Sequence, residues 1–239
     1  MSHMSDPSPK PTRPTHIPDY ADACLHALAE RNLGAKISLG GAFALLHYLD
    51  YRSTFDVDAW WNSSTTSKER AQVIDAITAA LSVFGQVRQR AFGDVTSMEL
   101  DTADKKKTFS FQIADRSAQL RPSVPAQWTD ILLDSFSDLV ASKMNALIQR
   151  GAPRDFRDVY AICQSQLATP VECWELWLQR QQVTGDDADI DRAKAAIDGH
   201  LERIEQYRPL AQIGDAEQQQ QAAKVRQWYR EVFLHAKMA

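Results

Sequence analysis

The order of apolar and polar residues changes character near residue 128. Before that point, segments with apolar residues three or four apart are interspersed with segments in which apolar and polar residues alternate one by one. The first pattern predicts amphipathic helices and the second predicts half-buried strands. Beyond Pro125 the helical spacing continues to the end. The pattern therefore predicts an α+β fold, a small mixed β-sheet with packed helices, followed by an all-helical C-terminal lobe.

The predicted elements follow from these periods and from their flanking residues. In the first part, strands are predicted at 35–39, 55–61, 95–100 and 108–113, the last two as a β-hairpin, and helices at 19–32, 42–49 and 67–84. Ser67 is the predicted cap of the third helix. In the second part, helices are predicted near 131–150, 154–167, 170–182, 189–207 and 215–237.

Three parts of the chain are distinguished by these patterns. Residues 1–18 hold five of the ten prolines and are predicted to form a disordered arm, because proline-rich chain is extended and buries little. Residues 1–4 resemble the remnant of an expression tag. Residues 19–128 are the predicted α+β domain, and residues 129–239 the predicted helical domain.

Composition narrows the class of protein. A hydrophobic fraction of 44% is enough for a packed core, and 27 basic against 31 acidic residues give a net charge of −4. That balance disfavours binding of nucleic acid by bulk positive charge, although a local basic patch stays open. No apolar segment approaches the roughly 20 residues that span a bilayer, so no membrane partner is expected. Three widely spaced cysteines disfavour a disulfide framework and fit a cytoplasmic location.

Two aspartates in the second predicted strand are the first candidate for chemistry. Asp56 and Asp58 are two residues apart, so on a strand they point to the same face, about 7 Å apart along it. Their neighbours are apolar, and two adjacent carboxylates repel each other there. A divalent cation, Mg²⁺ or Mn²⁺, removes that repulsion and is commonly held by one or two carboxylates plus phosphate oxygens. The alternative is a strand end whose carboxylates face water.

A pair of glycines precedes these aspartates by some fifteen residues. Gly40 and Gly41 lie between a predicted strand and a predicted helix, where glycine lets the backbone approach a ligand and the helix N-terminus attracts phosphate. Arg52, Ser53 and Thr54 add a cation and two hydroxyls. These residues are candidates for nucleotide binding, and a simple tight turn at the glycines is the alternative.

The remaining candidates lie in the helical part. Lys143 is aligned with apolar residues of its helix, which predicts a half-buried stem and an ammonium directed at a cleft. The alternative is a lysine at the edge of the core. Arg154, Asp155 and Asp158 begin the next helix, where acidic residues also serve as caps and as members of surface ion pairs. Both interpretations stay open from the residues alone.

Taken in order, the glycine pair, the Asp56-Val57-Asp58 strand and the segment from Lys143 to Asp158 resemble the AbiEii-type toxin branch of the polymerase-β-like nucleotidyltransferase superfamily. The resemblance covers roughly residues 35–160. It implies transfer of a nucleoside monophosphate from a nucleoside triphosphate to an acceptor hydroxyl, on RNA, tRNA or protein, with Mg²⁺ (or Mn²⁺). It also implies an antitoxin partner, since several members are toxins of toxin–antitoxin pairs.

The resemblance further implies roles for several candidate residues. The implied catalytic residues are Asp56, Asp58, Lys143 and Asp158. For nucleotide binding the resemblance implies Gly40, Gly41, Lys143 and Asp155, and the neighbouring cations and hydroxyls of Arg52, Ser53, Thr54 and Arg154 are candidates beside them. The implied metal ligands are Asp56 and Asp58.

One departure from the family pattern concerns a third carboxylate, which is expected on a neighbouring strand. The aligned position holds Gln112, a neutral side chain that cannot act as a general base. Glu99, Asp101 and Asp115 are candidates to replace it. The departure leads to an alternative function, a catalytically impaired relative that binds nucleotide, RNA or a protein partner without transfer. A plain structural or interaction module is the third interpretation.

Overall fold

The computed structural model describes residues 9–104 and 106–237, and it divides into two compact units, residues 1–139 and 140–239. The predicted tag remnant, and the predicted arm up to residue 8, lie outside the described residues. In the rest of the predicted arm, the Thr12 backbone N–H donates to the carbonyl of His47 over 2.7 Å. The boundary predicted near residue 128 stays a prediction.

The first unit is built on a mixed β-sheet. In the part of the chain that the structure describes, its strands are β1 (Ile37–Leu39), β2 (Asp56–Trp61), β3 (Gln86–Phe92), β4 (Val95–Asp101), β5 (Phe109–Ala114), β6 (Val124–Pro125) and β7 (Leu132–Leu133). Their order across the sheet is β3-β4-β5-β2-β1-β7-β6. The β2–β5 and β1–β7 pairs are parallel and the others antiparallel. The predicted α+β class with a mixed sheet is confirmed.

The sheet is accompanied by the α-helices α1 (Asp19–Glu30), α2 (Gly41–Leu45) and α3 (Ser67–Ser82). The predicted cap of α3 is wrong by one residue. The hydroxyl of Thr66, not of Ser67, accepts the Glu69 backbone N–H, and the Glu69 carboxylate accepts the Thr66 N–H over 2.8 Å. Glu69 lies three residues after Thr66 and completes a reciprocal cap with it. Ser67 cannot form such a cap, because no glutamate or glutamine lies three residues after it.

One face of β2 belongs to the core of the first unit. Side chains alternate along β2, so Val57, Ala59 and Trp61 are buried while Asp56 and Asp58 are only partly buried. The buried set packs with apolar residues of α1 and α3. The other face of β2 therefore carries the two carboxylates.

His47, just beyond α2, is a neutral core histidine. Its side chain is fully buried, its Nδ1 lies 3.1 Å from the Phe43 carbonyl, and its ring stacks on Trp128 at 5.9 Å. Burial lowers the pKa of His47 to about 4. The group therefore resists protonation in the folded state.

This burial makes the stability depend on pH. The pKa of His47 is lower in the folded state than in the unfolded state, where it is near 6.5, so acid protonates the unfolded state first. The stabilisation of the folded state by neutral His47 is therefore complete above pH 6.5. It is lost as the pH falls towards 4, which lowers the free energy of unfolding by about 3 kcal/mol in total. Urea unfolding at pH 7 and pH 4.5 measures the loss. His47→Gln should lose less over the same interval, and an equal loss in both proteins contradicts the assignment.

The second unit is helical. The division between the units falls within α4 (Phe136–Gln149), which is followed by α5 (Pro153–Gln164), α6 (Pro170–Thr184), α7 (Ile190–Tyr207) and α8 (Ala216–Trp228). The chain continues from α8 into a π-helical turn, Tyr229–Phe233. No strand occurs in residues 140–237, which agrees with the predicted helical lobe. At the start of the predicted helical part, 129–239, the prediction is wrong, because β7 (Leu132–Leu133) pairs with β1 and α4 begins at Phe136.

The second core is aromatic. Trp174, Tyr229 and Phe233 are fully buried, and the ring of Phe233 lies 5.4 Å from Trp174 and 5.0 Å from Tyr229. The free thiols of Cys163 and Cys173, ten residues apart in sequence, have sulfurs 3.7 Å apart.

None of the helices in the described ranges combines the length and apolarity needed to cross a bilayer.

Candidate functional site

Asp56 and Asp58 lie on a central strand, on one face of the sheet. Their strand β2 pairs with β1 on one side and with β5 on the other. In register, Asp56 is opposite Ser110 and Asp58 is opposite Gln112. Paired residues share a face, so a row of polar side chains continues from the aspartates onto β5.

The glycine pair lies directly beside Asp58. The backbone N–H of Gly40 donates to the Asp58 carbonyl over 2.8 Å and extends the β1–β2 pairing. Gly41 begins α2 with φ +61°, and a Cβ at this position would overlap the Asp58 carboxylate. Only glycine combines this left-handed backbone with the close approach. The carboxylate and the glycine backbone therefore form one surface, although α2 is shorter than the predicted 42–49 helix.

The other predicted nucleotide-binding residues of the first unit precede β2. The buried Thr54 hydroxyl donates to Asp56 Oδ1 over 2.5 Å and so orients that carboxylate. Ser53 is exposed. The Arg52 guanidinium donates to the Ser53 carbonyl over 3.2 Å and lies 5.6 Å from the Tyr51 ring centre.

The position expected to hold a third carboxylate is occupied by Gln112. It is opposite Asp58 on one side and opposite Ser97 on the other, so the row across β2, β5 and β4 contains one acid. Its amide offers a neutral oxygen and two N–H donors. The row therefore has a hydrogen-bonding group, and no base, next to Asp58.

Glu99 is the alternative acid on this face of the sheet. It is in register with Ser110, two strands from Asp56 and about 10 Å away by strand spacing. Its buried carboxylate lies 3.1 Å from the Lys107 ammonium and 3.4 Å from the Arg90 guanidinium. Lys107 and Arg90 therefore neutralise the charge of Glu99 at its position on β4.

The two other alternative acids have partners of their own. Asp101 accepts the Lys107 backbone N–H over 2.7 Å and the Arg88 guanidinium over 2.9 Å, and the backbone bond in particular lowers its pKa. Asp115 follows β5 and forms an ion pair with Arg70 of α3 over 2.7 Å. Neither acid is in register with Asp58.

A buried polar network supports the glycine pair, and the sequence analysis missed it. Asp134 accepts the Trp60 indole N–H over 2.8 Å, the Ser38 hydroxyl over 3.2 Å and the Arg116 guanidinium over 2.5 Å. Burial raises the pKa of Asp134 to about 6, while Arg116 acts in the opposite direction. A Cβ on Gly40 would overlap the Trp60 indole. The network thus fixes the backbone that leads to Gly41.

Lys143 and Asp158 form a buried ion pair in the second unit. The ammonium of Lys143, on α4, donates to Asp158 Oδ2, on α5, over 2.6 Å. The side chains are 10% and 0% exposed. Such a pair ties α4 to α5, since removal of either charge would leave the other buried without its counter-charge.

Asp155 is also fully buried. The Arg150 guanidinium donates two hydrogen bonds, of 2.8 and 2.7 Å, to the Asp155 carboxylate, and the Ala152 backbone N–H donates a third over 3.0 Å. This is the capping role that the sequence left open, combined with a forked charge-assisted pair. Arg154, by contrast, is exposed on the first turn of α5.

The turn that joins α4 to α5 depends on a glycine. Gly151 has φ +53°, and a Cβ there would overlap the imidazole of His200. We expect Gly151→Ala to lower the free energy of unfolding by about 2 kcal/mol or more, from left-handed strain plus steric overlap. Chemical denaturation measures the change. Gly185→Ala, also at positive φ (+74°) but with open space around it, should lower it by about 1 kcal/mol. Equal effects would contradict the role of the overlap.

Asp56 and Asp58 are the carboxylates of the first unit that suit a divalent cation such as Mg²⁺. In residues 9–104 and 106–237, no group of three or more His, Cys, Asp or Glu side chains is placed to hold a metal ion. Two carboxylates on one strand face match Mg²⁺, which proteins commonly hold through one or two carboxylates with phosphate oxygens and water completing the shell. Asp56 and Asp58 therefore fit a cation that arrives with a phosphate ligand.

The structure thus brings the predicted residues together in two sets. Asp56 and Asp58 are grouped with the glycine pair and Thr54 in the first unit, and Lys143 with Asp158 in the second. That the two sets act in one site stays a prediction.

Comparison with known proteins adds a family and a fold. The family model described as "Nucleotidyl transferase AbiEii toxin, Type IV TA system" matches residues 23–231. A Helicobacter pylori structure described as a candidate nucleotidyltransferase is similar at 14% identity, over 92% of this chain and 96% of that chain, with a TM-score of 0.51. The Helicobacter pylori protein JHP933 is similar at 14% identity, over 89% and 91%, with a TM-score of 0.49. No curated protein matches the chain.

Proposed function

Because the chain belongs to the family of AbiEii nucleotidyltransferase toxins, we propose that it transfers a nucleoside monophosphate from a nucleoside triphosphate to an acceptor hydroxyl in a divalent-metal-dependent reaction. The observation that carries the proposal is the placement of Asp58 against Gly41, with Asp56 on the same strand face. Carboxylates beside a glycine backbone suit a cation and a phosphate chain together.

Each residue of the first set has a role in this proposal. Asp56 and Asp58 hold the cation, and Thr54 fixes the rotamer of Asp56 through its 2.5 Å hydrogen bond. Gly40 and Gly41 present backbone without side chains to the triphosphate, and Ser53 offers a hydroxyl. Mg²⁺ or Mn²⁺, when bound, supplies charge neutralisation of phosphate oxygens.

The residues of the second unit contribute positive charge and fixed positions for the charged side chains in this proposal. Lys143 with Arg52 and Arg154 would neutralise charge that develops on the phosphates, which is mainly an electrostatic and positioning effect. Asp158 holds the Lys143 ammonium at 2.6 Å, and Asp155 fixes the first turn of α5 through Arg150. In this proposal Asp158 acts as a positioning residue for Lys143.

The family description supports an antitoxin partner and names no acceptor. We propose a hydroxyl of RNA, including tRNA, or of a protein as acceptor, and a role as the toxin of a type IV toxin–antitoxin pair with a dedicated antitoxin. The proposed location is the cytoplasm, where nucleoside triphosphates are available.

A second function is favoured by one observation, the neutral Gln112 in register with Asp58. Without a base beside Asp58, the acceptor hydroxyl lacks an obvious proton acceptor. The alternative is therefore a relative that binds nucleotide, RNA or a protein partner in the same place without transferring a nucleotidyl group.

Label transfer separates the two functions. The full chain is incubated with each α-labelled nucleoside triphosphate, total RNA and either Mg²⁺ or Mn²⁺, and nucleotide affinity is measured in parallel by calorimetry. Radioactivity in RNA or protein that disappears with a chelator and returns with excess metal supports the transferase. Metal-dependent binding without transfer supports the alternative, and absence of both overturns the two proposals.

A further inference from the structure

A cavity of about 530 Å³ lies within the second unit, between α5, α7 and α8. Its volume is within the range of small-molecule sites. The apolar part of the wall is mainly aliphatic and includes Phe156, Leu201, Ile204, Ile213, Ala222 and Val225. The cavity thus offers a hydrophobic environment to an apolar chain.

The polar part of the wall is positively charged. Arg157, Arg208 and Arg226 line the cavity, and none of the described residues that line it is acidic. This contrasts with the chain as a whole, whose net charge is −4. None of the three has a carboxylate within ion-pair distance among the described residues, whereas Arg150, Arg192 and Arg230 of the same unit are each paired with an acid.

Arg226 is the central observation, because it is a buried cation whose nearest acid, Glu205, acts on it through space without forming an ion pair with it. Arg226 is 8% exposed, and its guanidinium donates to the Arg208 carbonyl over 2.7 Å. The nearby Glu205 is engaged by Arg230 through two bonds of 2.7 Å. Burial of an unpaired charge is unfavourable, so an anion that reaches Arg226 would relieve it.

We propose that this cavity is a binding site for a small amphipathic anion, a carboxylate or phosphate group on an aliphatic chain. The head group pairs with Arg226, assisted by the exposed Arg157 and Arg208, and the chain lies on the aliphatic wall. Pairing of an anion with a guanidinium is strong where water is excluded, which gives the site its charge selectivity. This site is independent of the proposed transfer reaction, since its residues are not among those assigned to it.

Calorimetric titration of the full chain tests the site without nucleotide or acceptor. The probes are decanoate and decyl phosphate, with decanol and decylammonium as neutral and cationic controls, all below their micelle concentrations. We expect both anions to bind about tenfold or more tightly than decanol, and decylammonium not to bind. The stronger of the two anions identifies the head group as carboxylate or phosphate. Equal affinity for decanol and the anions overturns the proposal.

Substitutions at the exposed arginines locate the binding on the protein. Arg157→Gln and Arg208→Gln should each weaken decanoate binding about tenfold, because each removes a charge from the wall without disturbing a buried group. Ala222→Leu should weaken it by filling the cavity. Arg192→Gln, at an exposed arginine outside the cavity wall, should bind as the unmodified chain does. Equal affinity in all four variants overturns the proposal.

Discussion

Replacement of Lys143 by methionine is expected to lower the free energy of unfolding by about 3–5 kcal/mol. Methionine retains much of the apolar stem of the lysine but removes the ammonium that lies 2.6 Å from Asp158. The carboxylate of Asp158 is 0% exposed, so the variant keeps it buried after the ammonium of Lys143 is removed. Guanidinium unfolding followed by circular dichroism measures the loss.

A double substitution separates the cost of an unpaired charge from the value of the pair. Lys143→Met combined with Asp158→Leu removes both charges, and buried pairs replaced by apolar groups are often neutral in stability. The double variant should therefore be more stable than Lys143→Met alone. A loss below 1 kcal/mol in the single variant would mean that water reaches Asp158, contrary to the burial of this pair.

The pairing also explains why the sequence left the role of Lys143 open. Its alignment with Leu139 and Leu147 predicted a half-buried stem and an ammonium directed at a cleft. In the structure all three residues are buried, and the ammonium donates to the buried Asp158. The partner of the ammonium could not be predicted, since Asp158 is fifteen residues away across a turn set by Gly151. Helical periodicity gives the face of a residue on its own helix, whereas the neighbour across the turn depends on packing.

The elements that the sequence predicted well are those with a complete pattern of their own. The alternation in β2 and the helical spacing of α5, α6 and α7 are strong, and their observed bounds lie within a few residues of the predicted ones. β3 was missed because it is an edge strand, exposed along most of its length and without apolar alternation. β7 was also not predicted, because it has two residues and depends on its pairing with β1.

The candidate site shows the same division between local and tertiary information. Spacing alone put Asp56 and Asp58 on one face, which the pairing of β2 with β5 reproduces. The supporting network was not predicted, because Asp134, Arg116 and Ser38 are far apart in sequence. One signal was available, since Asp134 directly follows the apolar Ile131-Leu132-Leu133 run. An acid at the end of a buried strand needs a partner inside the protein.

Substitution of Asp58 by asparagine is expected to reduce nucleotidyl transfer by about a hundredfold or more, the scale seen when one group that stabilises transition-state charge is removed. Asparagine has nearly the shape of aspartate, so it fits the space beside Gly41 where a larger side chain would not. The change therefore removes the charge and leaves the packing of β2. Transfer rates are measured under saturating nucleotide, with the unfolding midpoint as the check on folding.

The matched control is Asp94→Asn, which removes the same charge from an exposed position in the turn between β3 and β4. It should transfer label at the rate of the unmodified chain. If Asp58→Asn transfers equally well, Asp58 does not hold the cation and the proposed site fails. Gln112→Glu is informative in the same assay, because it adds a carboxylate in register with Asp58. Restored metal affinity in Asp58→Asn/Gln112→Glu would place the cation between β2 and β5, since charge on either strand would then serve the same ion.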